Sequence, residues 1–78
     1  MATGQKRETR LAICLRNEGY EVSLERRKLY EVLEDPAAAE DNLLRVVDES
    51  GEDYLYPMAN FVLVHLPDAI ESAVIEAA

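Results

Sequence analysis

The sequence predicts a mainly β domain: a small five-stranded antiparallel barrel followed by a short C-terminal α-helix. Apolar residues recur at every second position in several segments between residues 11 and 66, the period of strands with one buried face. The stretch from Arg45 to Pro57 reads as a tight hairpin, and Phe61 to Leu66 as one more strand. After Pro67 the apolar spacing lengthens to that of a helix.

Taken in order, residues 1–9 read as a disordered tail. They lack the apolar core of a signal peptide. The barrel is expected over residues 10–66 and the helix, packed on it, over 67–78. Leu11, Ile13 and Leu15 alternate with Ala12, Cys14 and Arg16, which predicts the first strand. Asn17-Glu18-Gly19 is a turn signal. Tyr20, Val22 and Leu24 alternate with Glu21, Ser23 and Glu25, so this segment too is predicted extended, with one polar face. Leu29 to Leu33 is the next strand. Asp35-Pro36 resembles a helix start, with Asp as the cap and Pro in the first turn. Ala37 to Asn42 supplies a turn or two of helix.

The hairpin rests on residue types. Val46 and Val47 are β-branched and Tyr54 and Tyr56 aromatic, so both arms suit a pleated sheet. Asp48-Glu49-Ser50-Gly51 fits a type I turn with Asp first and Gly last, and Gly51 takes the left-handed conformation of a three-residue loop. A two-residue Ser50-Gly51 loop is the competing reading, and it shifts the pairing register by one. Pro57 cannot donate a ladder hydrogen bond and ends the arm. Met58-Ala59-Asn60 then turns the corner. Beyond Pro67, Asp68 and Glu71 form a plausible capping box, and Ile70, Ala73, Val74 and Ala77 form the apolar stripe. So short a helix is marginal alone in water, so the stripe is expected to dock on the barrel.

Composition bounds the function. Seventy-eight residues suffice for one small domain. The single cysteine, Cys14, cannot build a disulfide framework, which points to a reducing cytoplasm. The apolar runs are too short to span a bilayer, so no membrane association is expected. The net charge is −8. All eight Lys and Arg lie at or before Arg45, and seven acids follow without a base. That speaks against nucleic acid, which needs a basic stripe. Arg26-Arg27-Lys28, flanked by acids, reads as a solvated strand start. The acidic half suits a basic partner better.

From Leu11 to Leu66 the order of features resembles a Src-homology-3 domain. The features are a first strand, a long acidic loop from Glu18 to Glu25, the strand Lys28-Leu-Tyr-Glu-Val-Leu-Glu34, a variable loop, a hairpin and a proline-containing turn. The wording Glu-Gly-Tyr, Asp-Glu-Ser-Gly-Glu-Asp-Tyr and Tyr-Pro is also similar to short bacterial proteins of uncharacterised function, which implies a bacterial origin. The first resemblance implies a small barrel with a peptide surface near Glu18, Glu21, Pro57 and Phe61. Tyr20 and one of Tyr54 or Tyr56 would supply the flat apolar contact there. The first strand carries no aromatic residue, the chain has no Trp, and one residue too many separates Pro57 from Phe61. Binding to generic Pro-x-x-Pro peptides is therefore not expected.

Other residues point to no chemistry. His65, the only histidine, is read as a mid-strand residue on the face opposite Val62, Val64 and Leu66, with no second imidazole for a zinc site or relay. Cys14 lies in an apolar strand, where free cysteines pack as small hydrophobes. The acids from Asp48 to Asp53 lack the spaced ligands of a calcium loop. No nucleophile–base pair, cofactor motif or metal spacing is visible. The expectation is a non-catalytic protein- or peptide-interaction module, a monomer or small homo-oligomer. The alternative is a structural or regulatory subunit that acts as an oligomer or within a complex.

Overall fold

The computed structural model describes residues 10–77; the tail expected over residues 1–9 lies outside them. The strands are β1 (Leu11–Cys14), β2 (Leu29–Leu33), β3 (Leu43–Val47), β4 (Asp53–Pro57) and β5 (Phe61–Val64). Helix α1 spans Pro36–Glu40, a 3-10 turn Met58–Asn60, and helix α2 Asp68–Ala77. The strands are antiparallel and form one sheet in the order β4-β3-β2-β1-β5. The chain is thus mainly β, with five antiparallel strands and a C-terminal helix, and among the described residues β4 and β5 are the edges of the sheet.

The sheet bends at β2. Residues Leu29 to Glu31 pair with β1, whereas Val32 and Leu33 pair with β3. Each half turns one face inward. Ala12 and Cys14 come from β1, Tyr30 and Val32 from β2, Leu44 and Val46 from β3, Tyr56 from β4 and Phe61 from β5. These meet in one core. Their spacing of two residues within each strand is the alternation that the sequence shows.

The hairpin has the three-residue loop. Val47 pairs with Asp53, Asp48 N–H donates to Glu52 O, and Gly51 N–H donates to Asp48 O at 2.9 Å. Gly51 is left-handed at φ +86°, which glycine adopts without steric penalty. Asp35 caps α1 by accepting from Ala38 N–H, with Pro36 in the first turn. Arg45 on β3 then ties this cap to β4, with Asp35 at 2.7 Å and Asp53 at 2.8 Å.

Three expectations need correction. The segment Tyr20 to Glu25 is not extended; it coils through turns. Its donors close locally, Tyr20 N–H to Asn17 O and both Ser23 and Leu24 N–H to Tyr20 O, so no strand partners it. Of its apolar residues only Leu24 enters the core, while Val22 is 99% exposed. The last strand stops at Val64, so His65 lies beyond it rather than mid-strand. Helix α2 is turned from the expected stripe. Ile70 is 52% exposed and Glu71 only 4%. The physical reason is Arg10, which donates from its backbone N–H and its Nε to the two oxygens of Glu71, and from Nη2 to Ser72. A salt link at the start of β1 thus sets the rotation of the helix.

Candidate functional site

Three of the expected site residues come together. Tyr56 is buried on β4, and the ring of Tyr20 meets it edge-on, centroids 5.0 Å apart and planes at 83°. On its other side Phe61, at the start of β5, lies 6.2 Å away. Edge-to-face pairs of this kind place the positive ring edge on the negative ring face. The result is an aromatic run from core to surface, with half-buried Tyr20 at its outer end and Met58 packed beside it. Pro57, the last residue of β4, delivers the chain into the 3-10 turn that carries Met58.

Glu18 and Glu21 are exposed on the same loop as Tyr20, and the Glu21 carboxylate accepts from Gly19 N–H. Tyr54 does not join them. It is half exposed and donates its hydroxyl to Glu52, three residues short of the proline turn. Of the two hairpin tyrosines, Tyr56 is the one in the aromatic run.

Beneath this surface lies a polar cluster that the sequence did not reveal. Tyr56 donates to Asp48 Oδ2, and Ser23 Oγ lies 2.9 Å from the same phenol oxygen. Asp48 Oδ1 accepts from both the N–H and the hydroxyl of Ser50. Burial pushes the Asp48 carboxyl up, but the bonds from Ser50 and Tyr56 outweigh it and hold the group below its ordinary value. Alongside, Glu49 N–H donates to Ser23 O. Tyr30 donates to Glu49 and accepts from Glu25 N–H, and Lys28 Nζ reaches Glu49 at 2.6 Å. The long loop is therefore fastened to the hairpin turn at Ser23, Glu25 and Lys28. The one visible signal was Asp48 as the first residue of the turn; nothing in the sequence marks Ser23.

Asp48 thus points inward onto protein donors, which accounts for its place in the acidic turn without a cation. No group of three or more His, Cys, Asp or Glu among the described residues is arranged to hold a metal ion. Cys14 is buried and donates its thiol to Arg16 O; burial pushes the thiol up, away from the thiolate a nucleophile needs.

A cavity of about 470 Å³ opens between α1, β3, the 3-10 turn and β5. Val32, Leu33, Leu43, Leu44, Met58 and Leu63 form its apolar wall, with Glu34, Asp35, Arg45 and His65 also lining it. It lies where the sheet fails to close, between β5 and the β3–β4 half. No helix among the described residues is long and apolar enough to cross a membrane. No protein-family model, curated protein or solved structure matches the chain.

Proposed function

We propose that this chain is a non-catalytic interaction module of Src-homology-3-like architecture, which grips a protein or peptide segment at the surface around Tyr20. The observation that carries the reading is the Tyr20–Tyr56–Phe61 run. It holds one half-exposed aromatic ring in a fixed pose beside the exposed carboxylates of Glu18 and Glu21. A ring held this way supplies contact area at little entropic cost, and the carboxylates select a basic residue in the ligand. The architecture is supported by the strand order, the long loop between β1 and β2, and the 3-10 turn before β5. The chain lacks the tryptophan of proline-rich binders, so the ligand is a basic segment of another kind.

Immobilised parent protein, Tyr20→Ala and the double variant Glu18→Gln, Glu21→Gln test this against a library of basic peptides. Binding retained by the parent and lost in both variants supports the site. Equal binding by all three places the ligand elsewhere and refutes it. A second reading, self-association, is favoured by the open edge of β5.

A further inference from the structure

We infer that β5 is a self-pairing edge: two copies of this chain join through antiparallel β5 strands, with Leu63 opposite Leu63 of the second copy on a twofold axis. The inference deepens the self-association reading and is independent of the Tyr20 surface.

The backbone alternation identifies the open groups. Cys14 N–H donates to Lys28 O, Cys14 O accepts from Arg27 N–H, and Arg10 O accepts from Val32 N–H, so even-numbered residues of β1 face β2. Leu11 and Ile13 therefore face β5 and bond to their partners Val64 and Val62. On β5 this leaves Phe61 and Leu63 with backbone groups directed off the sheet. Phe61 N–H turns back to Met58 O. Leu63 N–H and C=O meet no partner among the described residues, and the side chain is 49% exposed. On the inner face the cavity separates Leu63 from α1, β3 and the 3-10 turn.

The two edges differ. β4 carries a charge at Asp53 and a proline at Pro57, both of which discourage pairing. β5 reads Phe-Val-Leu-Val with neither. An unprotected edge of this kind templates another strand.

Symmetry selects a second copy. A twofold axis normal to the sheet keeps each face on its own side, so residues of one face must oppose residues of that face. Leu63, whose backbone groups point off the edge, can then exchange both its N–H and its C=O with its own counterpart. Val62 falls opposite Val64 of the second copy on the other face. Every opposed pair within the strands is apolar. Charge is also consistent. Antiparallel pairing sends the acidic helices α2 of the two copies to opposite ends of the joint.

Sedimentation equilibrium over a concentration series tests the pairing, with amide exchange on the same samples. The parent should reach twice the 8.8 kDa chain mass, with the Leu63 amide protected in step with the dimer fraction. Leu63→Pro removes an N–H that the monomer does not use, so the fold should persist by circular dichroism. The dimer dissociation constant should rise roughly tenfold or more, because two inter-copy bonds are lost. Val62→Glu, which sets a carboxylate against an apolar side chain, should also weaken it, whereas Tyr20→Ala should not. A parent that stays monomeric throughout the series overturns the inference, as does a dimer that both β5 variants leave unchanged.

Discussion

Tyr56 donates its phenol proton to Asp48 in the interior of the protein, and both residues are more than nine-tenths buried. The bond joins two residues eight apart on opposite arms of one hairpin, and through Ser23 it reaches the long loop as well. One phenol thus fastens the long loop to both arms of the hairpin, a link that the ladder alone does not make.

Tyr56→Phe should therefore destabilise the protein by about 1–3 kcal/mol, since a buried carboxylate loses one of its donors. The ring remains, so packing against Tyr20 and Phe61 is kept. Urea melts of parent and variant measure the difference. A midpoint equal to the parent's would show that the phenol does not support Asp48.

Stability should fall at both ends of the pH scale. The Asp48 carboxyl sits below its ordinary 3.8 because its hydrogen bonds outweigh the effect of burial. Glu49 sits below 4.5, held chiefly by Lys28 and then by Tyr30. A depressed acid stabilises the fold above its unfolded value and loses that contribution as pH falls through the folded one. The phenols behave oppositely. Burial first, then the bond to Glu49, raises Tyr30 above 10.0, and burial followed by the bond to Asp48 raises Tyr56. Their contribution is complete below pH 10.0 and is lost as pH rises through the folded values. The urea midpoint should be flat between about pH 5 and 9 and drop on either side. In Tyr30→Phe the alkaline drop should shrink; a parent midpoint that climbs from pH 9 to 11 would contradict the assignment.

At the hairpin tip, Gly51→Val should cost about 1–2 kcal/mol from backbone strain alone. An added Cβ meets nothing within 4 Å, so no clash contributes. Ser50→Ala is not neutral either, because the Ser50 hydroxyl bonds Asp48 at 2.6 Å and accepts from Glu52 N–H. Its loss should cost about 1 kcal/mol. Thermal melts that separate the two variants by several kcal/mol would reject this account of the tip.

Arg10→Ala should loosen α2 from the sheet by about 1–3 kcal/mol, because Glu71 would stay buried with fewer donors. Amide exchange would accelerate across residues 70–77 while β2 and β3 kept their protection. Glu71→Gln, which retains an acceptor, should do less. Uniform acceleration over the whole chain would mean that the helix and the sheet open as one unit.

Much of the fold was legible because strand and helix periods are local properties. Leu11 to Cys14 lie in an alternating segment, the arms of the hairpin carry β-branched and aromatic residues, and these and Leu29 to Leu33 are strands. Gly51 announced its turn because only a residue without a Cβ takes that conformation cheaply. Asp35-Pro36 announced α1 in the same way. The candidate site was legible in part. Tyr20, Tyr56 and Phe61 meet, whereas Tyr54 does not. Tyr20 to Glu25 misled because alternation needs a neighbouring strand to become a ladder, and this segment satisfies its donors within its own turns.

The sequence by itself determined the position of the hairpin, the α1 cap and the change to a helix after Pro67, since backbone preference and the apolar period act over a few residues. Only the tertiary structure decided which groups meet across long separations. It set Arg10 against Glu71 and so turned Ile70 outward, set Ser23 and Tyr56 around Asp48, and left Leu63 at an open edge. The first two of those outcomes depend on hydrogen bonds between residues up to 62 positions apart. A carboxylate bonded to a distant arginine reads in sequence like one facing water, so no local pattern distinguishes the two.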